Sequence, residues 1–100
     1  MVIGKITGTI VATRKDENLL GGKFYIVRLM TMDTKMTDKF IVAYDTVGSG
    51  EGEVVVVVQG SSSRMTEQTQ SAPVDASIVA VVDLLEVNDK IVFKKFETKV

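Results

Sequence analysis

The chain has 100 residues, 45% of them hydrophobic, and a formal net charge of −1. This length suits one compact domain, residues 1–100, and leaves no room for a second. A domain of this size buries only about two thirds of the surface that its unfolded chain exposes. The apolar content is therefore more than one small core hides, and we expect part of it to be covered by other molecules.

Cysteine and histidine are both absent. Their absence excludes disulfides, zinc sites of the usual Cys/His kind, and Ser-His or Cys-His catalysis. The isoelectric point of about 5.3 argues against a general attraction to nucleic acid or anionic lipid. The N-terminus lacks the layout of a signal peptide, and apolar runs such as Val54–Val58 are too short to span a bilayer. We expect a cytoplasmic protein with no membrane or nucleic-acid partner.

Residues 2–13 alternate between apolar and polar side chains, the period of a half-buried β-strand. Glycines on the inward face of such a strand predict a bend or a close approach of another backbone, as in small barrels. The residues expected on this inward face are Val2, Gly4, Ile6, Gly8, Ile10 and Ala12.

Three more strands are predicted in the first 60 residues. They cover Phe24–Met32, Phe40–Tyr44 and Val54–Val58, with a turn at Asp33-Thr34-Lys35 between the first two. Five consecutive valines indicate that both faces of the last of these strands are buried.

The second half is more ambiguous. The polar segment Ser61–Ser71 predicts a short helix with a serine cap, followed by a loop. Residues 74–87 match a helical spacing but are rich in β-branched residues. We favour one strand over Ile78–Val87, because Asn88-Asp89 then forms a hairpin turn into Ile91–Phe93. The predicted fold class is all-β: a small OB-like barrel of five to six strands with one short helix.

A glycine-rich stretch, Asp45–Gly52, is the first candidate for chemistry. A loop that cradles phosphate needs a helix after it and often a lysine at its end. Here a strand follows, and the carboxylates of Glu51 and Glu53 would repel phosphate. A tight loop between two strands is the favoured interpretation.

Asp75 and Asp83 are the second candidate, as a catalytic carboxylate pair. If Ile78–Val87 is a strand, Asp83 lies among apolar neighbours and needs a partner, for which Arg64 is the obvious choice. We favour a structural pairing of Arg64 with Asp75 or Asp83 over acid–base catalysis, which also needs a substrate pocket. Unchanged stability and assembly of an Arg64→Ala variant would count against it.

Two other functions stay open at this point. An OB-type module for nucleic acid or a small ligand would stack bases on aromatic side chains over a basic groove. The negative net charge weighs against that alternative, as does the placement of several of the six Phe and Tyr residues within apolar strand patterns. A small carboxylate-dependent enzyme would need a pocket around Asp45, Asp75 or Asp83. We predict no catalytic, cofactor-binding or metal-binding residue.

Three stretches taken together are more specific than any one of them. They are Ile3–Thr13; Asp45-Thr46-Val47-Gly48-Ser49-Gly50, followed by the valine strand and Gly60-Ser61-Ser62-Ser63-Arg64; and Pro73–Asp83. In this order and spacing the chain resembles the EutN/CcmL family of bacterial microcompartment vertex proteins over essentially its whole length. One departure is Ser63, where members of the family often carry alanine.

The resemblance implies a structural subunit and not an enzyme. It implies an OB-like barrel that forms a cyclic homopentamer and plugs the five-fold corners of a microcompartment shell in the cytoplasm. The implied partners are other copies of the chain and the hexameric proteins of the shell facets. Because small residues are needed where five copies converge, we hypothesise that two loops lie near a neighbour or the central axis. Their residues are Asp45, Val47, Gly48, Gly50, Gly60, Ser61 and Ser62.

Overall fold

The computed structural model describes residues 1–11, 23–60 and 75–95, which form seven β-strands and no α-helix. Five strands make a closed barrel in the order β1-β2-β3-β5-β4. They are Val2–Ile10 (β1), Lys23–Met30 (β2), Met36–Asp45 (β3), Val54–Gln59 (β4) and Ala76–Val81 (β5). Leu84–Val87 (β6) and Lys90–Lys94 (β7) pair only with each other. The all-β, OB-like prediction is confirmed.

The predicted short helix falls within residues 61–71, outside the described part of the chain. In the three described ranges, no helix is long and apolar enough to cross a membrane.

The core of the barrel is small and, apart from Tyr25, aliphatic. All barrel pairings are antiparallel except that of β3 with β5. The buried cluster consists of Ile6, Tyr25, Val27, Ala43, Val55, Val57, Ala76 and Ile78. Outside this cluster, Val54 and Val58 on the other face of β4 are also buried. Both faces of the valine strand are therefore covered, as its composition predicts.

A bulge in β1 reverses the predicted facing of its second half. The register with β2 shifts between Ile6 and Gly8, so that Gly8 pairs with Ile26 and Ile10 with Phe24. A bulge inserts one residue, and an odd shift moves every later side chain to the opposite face. Ile10 is consequently 37% exposed on the outside of the barrel. The prediction that Gly8 and Ile10 share the inward face was wrong for this reason.

Gly4 makes the close approach that inward glycines predict. A β-carbon at this position would lie 2.6 Å from the carbonyl oxygen of Arg28 and 2.5 Å from Cγ1 of Val27, both on β2. The same atom built at Gly8 would meet its nearest neighbour, Cδ1 of Ile26, at 3.4 Å. Only the first glycine is required by packing against the backbone of β2.

The strand predicted over Ile78–Val87 is interrupted. Strand β5 ends at Val81, the amide of Val82 donates to the carbonyl of Val54 at 2.8 Å, and Asp83 is exposed at a bend. The chain leaves the barrel at this point because β4, its partner, begins at Val54. Apolar residues stand on both sides of Asp83, so the sequence does not reveal the break.

The hairpin turn between β6 and β7 is as predicted. Asn88 and Asp89 both have positive φ, 51° and 63°, as a two-residue type I′ hairpin requires.

Strand β3 is also longer than predicted. The sequence predicts Phe40–Tyr44, whereas the strand spans Met36–Asp45 and so begins in the polar segment before Phe40.

We predict that Gly4→Ala destabilises the protein, because the added methyl group overlaps a backbone oxygen that cannot move without shifting β2. The expected loss in the free energy of unfolding is about 1–3 kcal/mol. Gly8→Ala is the matched control on the same strand, and we expect a change within about 0.5 kcal/mol. Denaturant unfolding at matched protein concentration measures both. Equal stability of the two variants would contradict the close approach at Gly4.

Candidate assembly surfaces

The loop between β3 and β4, residues 45–53, is held in one shape by its first residue. We call it the mouth loop. The carboxylate of Asp45 accepts hydrogen bonds from the amide of Ser49 at 3.1 Å, from its hydroxyl at 2.6 Å, and from the amide of Val47 at 3.3 Å. An aspartate that binds amides two and four residues ahead is a local turn device. The glycine-rich stretch is therefore an ordered inter-strand loop, as favoured.

The mouth loop covers one end of the barrel. The hydroxyl of Tyr25, inside the barrel, donates to the carbonyl of Ser49 at 3.0 Å, and Ser49 is buried. The amide of Gly52 donates to the carbonyl of Ile6, and the amide of Ile6 to the carbonyl of Glu53, each at 2.9 Å. The loop thereby supplies hydrogen-bond partners to the Tyr25 hydroxyl and to the backbone of Ile6.

Glu53 connects the mouth loop to the segment after β7. Its Oε1 accepts from the amide of Gly50 at 2.7 Å, and its Oε2 accepts from Nζ of Lys95 at 2.5 Å. The hydrogen bond from Lys95, followed by that from Gly50, lowers the pKa of the Glu53 carboxyl below its ordinary value of 4.5. Lys95 also donates its amide to the carbonyl of Asp83 at 2.9 Å. No sequence pattern announces this pair, whose members are 42 positions apart.

The second predicted loop begins at the opposite end of β4. Gln59 pairs with Ala76, and the amide of Gly60 donates to the carbonyl of Asp75 at 2.7 Å. We call these four residues, Gln59, Gly60, Asp75 and Ala76, the neck; residues 61–74 connect its two strands. The six residues of β4 run from the mouth loop into the neck, roughly 20 Å at the usual rise per residue. The hypothesised assembly residues thus fall into two separate regions of one chain.

Ser61, Ser62 and Arg64 lie outside the described residues. Asp75 and Asp83 flank the six residues of β5 and both are exposed. The structure therefore does not bring these two carboxylates together as a catalytic pair. The expectation that Asp83 lies within a strand among apolar neighbours was wrong, since the strand ends before it. The pairing of Arg64 with one of these carboxylates stays a prediction.

The outside of the barrel carries an apolar surface across β1, β2 and β3. We call Ile10, Ile26, Phe40 and Val42 the outer patch. On β2, Ile26 pairs with Val42 of β3 on one side and with Gly8 of β1 on the other. Phe40 and Val42 are 54% and 49% exposed. Exposed apolar side chains that adjoin one another mark interaction sites more often than scattered ones do.

Two charged groups border the outer patch beside Phe40. The guanidinium of Arg28 lies 5.6 Å from the ring centroid of Phe40, and its Nε donates to the carbonyl of Thr37 at 2.6 Å. The same guanidinium lies 3.5 Å from the fully exposed carboxylate of Asp38. Sequence reasoning missed this surface, because the bulge that brings Ile10 to the outside has no signal in the alternating pattern.

The β6–β7 ribbon, which we call the arm, is the second apolar surface. Its strands do not pack extensively on any barrel strand in the described part of the chain. Leu84 and Ile91 are 47% and 56% exposed, and no residue of either strand is fully buried. An isolated two-stranded ribbon is at best marginally stable in water. The arm therefore needs support from other contacts.

Comparison with known proteins shows which family the chain belongs to. Residues 1–83 match the model of the family described as "Ethanolamine utilisation protein EutN/carboxysome". The carboxysome shell vertex protein CcmL of Nostoc sp. PCC 7120 is 36% identical over 96 residues, which are 95% of each chain. The shell vertex protein GrpN of Rhodospirillum rubrum is 40% identical over 86 residues, 86% of this chain and 97% of GrpN.

The chain belongs to the EutN/CcmL family. Its fold is also that of solved members. The structure of CcmL from Gloeobacter violaceus superposes with a TM-score of 0.91 at 30% identity, covering 97% of this chain and all of that one. The structure of R. rubrum GrpN, described as a pentameric microcompartment shell protein, superposes with a TM-score of 0.76 at 39% identity, covering 87% and 98%.

Membership confirms the resemblance predicted from the three stretches. The relatives are structural shell vertex proteins. The chain is therefore a structural shell protein and not an enzyme, and the nucleic-acid alternative finds no support among them.

The lowered pKa of Glu53 predicts a defined pH dependence of stability. A carboxyl whose pKa is lower in the folded than in the unfolded chain stabilises the fold above the unfolded pKa, and this contribution is lost as the pH falls through the folded pKa. We expect Glu53→Gln to be less stable than the parent at pH 7, with the difference shrinking below about pH 4. Thermal unfolding from pH 7 to pH 3 measures this difference.

Glu51→Gln, which changes an exposed carboxylate of the same loop, is the control. A stability difference between Glu53→Gln and the parent that stays constant with pH would contradict the role given to the Lys95 contact.

Proposed function

We propose that this chain forms a cyclic homopentamer that occupies the five-fold corners of a bacterial microcompartment shell, between hexameric shell proteins. The observation that carries the proposal is the likeness to GrpN, a pentameric shell protein of which 98% is covered at 39% identity. The CcmL and EutN relatives, which are shell vertex proteins, support the same placement.

The physical basis of the function is geometric. A flat layer of six-fold tiles does not close on itself, and a five-fold tile introduces the curvature at a corner. A ring of five identical subunits has head-to-tail contacts, so each subunit needs two different and complementary surfaces. The outer patch and the arm are two separate exposed apolar surfaces on one chain, which supports this kind of assembly.

We further propose that Asp45, Val47, Gly48 and Gly50 of the mouth loop, and the neck, lie close to a neighbouring copy or to the ring axis. Gly48 and Gly60 have φ of +74° and +66°, and a β-carbon at either position would meet no atom of the described residues within 4 Å. Within one chain, backbone conformation alone favours glycine there, and the open space beside each leaves room for another copy. For Ser61 and Ser62 the proposal rests on their position directly after Gly60.

Native mass spectrometry tests the proposed assembly. We expect a particle of five times the 10.9 kDa chain mass. A monomer at micromolar concentration would overturn the proposal, and a hexamer would overturn its five-fold geometry. The hexameric partners are tested by electron microscopy of shells made with and without this chain. We expect closed shell corners when the chain is present and open corners when it is absent; closed corners in its absence would contradict the proposal.

A substitution in the mouth loop tests its placement. Asparagine tolerates the left-handed backbone conformation better than other residues with a side chain, so Gly48→Asn adds bulk without forcing the loop to refold. We expect Gly48→Asn to lower the fraction of pentamer in native mass spectra. Gly52→Asn is the matched control, because Gly52 has φ of +87° and equally open surroundings but is not among the proposed contact residues. A fully pentameric Gly48→Asn variant would remove Gly48 from the contact.

A further inference from the structure

We propose that the arm of each subunit docks on the outer patch of the neighbouring copy in the ring, so that these two surfaces form part of the subunit interface. This inference rests on the proposed homopentamer and names the contact within it. The partner is a second copy of this chain.

The first argument is the chemistry of the arm. Its register pairs Leu84 with Lys94 and Glu86 with Ile91, which places these four side chains on one face of the ribbon. We call them the arm face. Two of the four, Leu84 and Ile91, are large, exposed and aliphatic, although the ribbon has few contacts with the barrel strands among the described residues. Burial of this face against another sheet would supply the stability that two strands lack by themselves.

The second argument is the exposed apolar surface of the two faces. Leu84 and Ile91 on the arm face are 47% and 56% exposed, and Phe40 and Val42 in the outer patch are 54% and 49% exposed. Grouped apolar side chains with this much exposure are typical of a surface that another protein covers.

The third argument is the match between the two faces. The outer patch spans three neighbouring strands, about 10 Å from the first to the third, and the arm has two strands about 5 Å apart, so the patch is wide enough to receive it. Two apolar sheet faces pack with their side chains interdigitated at about 10 Å. The charged side chains at the edges of the two surfaces are also complementary. Glu86 and Lys94 on the arm face would meet Arg28 and Asp38 beside Phe40, one acid and one base on each side.

The arm is also held at its base, which favours docking in a fixed direction. Lys95, directly after β7, is bonded through its side chain to Glu53 of the mouth loop and through its amide to Asp83. Both ends of the arm are therefore tied to the barrel mouth. A ribbon fixed at its base loses less conformational freedom on docking than a flexible tail would.

The absence of cysteine from the chain allows a direct proximity test. Val42→Cys and Ile91→Cys are combined in one chain and treated with a flexible bis-maleimide cross-linker. If the arm of each subunit reaches the patch of the next, denaturing gels show a ladder that extends to five linked chains. Each single-cysteine variant is expected to give at most two linked chains.

The matched control pairs Ile91→Cys with Lys35→Cys, which lies at the exposed turn between β2 and β3 and away from the patch. It is expected to give no ladder beyond dimer. A ladder of equal yield in this control, or no ladder from Val42/Ile91 in particles of five-fold mass, would overturn the docking while the pentamer stands. A monomeric parent protein would overturn the pentamer and the docking together.

A charge substitution tests the same contact without cross-linking. Ile91→Glu places a carboxylate in the apolar part of the proposed interface, and we expect the concentration at which the ring dissociates to rise at least tenfold. Lys90→Glu, the same new side chain one position earlier and on the other face of the ribbon, is expected to change it less than threefold. Equal effects of the two variants would contradict docking through the arm face.

Discussion

The closure of the barrel depends on a parallel ladder of only two residue pairs, Tyr44 with Ser77 and Asp45 with Ile78. Every other seam of the barrel is a longer antiparallel pairing. Parallel strands cannot be joined by a tight hairpin, so the chain must leave β3, cross the barrel and return in the same direction. The mouth loop and β4 are the first part of that crossover. The shape of the loop therefore belongs to the structural framework of the barrel.

Asp45 serves both parts of this arrangement. Its backbone ends the ladder with β5, while its carboxylate orders the mouth loop through Ser49. Next to it, the hydroxyl of Thr46 donates to the carbonyl of Ile78 at 2.7 Å and extends the short seam by one side-chain bond. Polar side chains here replace the backbone ladder that a longer parallel pairing would provide. The loop can then present glycines outward without losing its own shape.

The small size of the barrel core explains why many apolar side chains lie on the outside of the barrel. The core of the barrel uses one face of β1, β2 and β3, and the opposite faces of these three strands retain large apolar side chains. In a monomeric protein this would be a liability, whereas a ring subunit needs two such surfaces. The described surface and the membership in a family of shell vertex proteins therefore agree with each other.

The sequence by itself determined the class of the fold, the valine strand with both faces buried, the hairpin turn at Asn88-Asp89 and, through three separated motifs, the family. These features depend on local composition and period, which a single chain displays directly. Tertiary structure alone decided the facing of Ile10 and the end of β5 at Val81, because a bulge and a bend change register without changing composition. It also decided that Gly4 and not Gly8 meets a neighbouring backbone, and that Glu53 binds Lys95. Such contacts join residues far apart in the chain, and their partners are set only when the barrel closes.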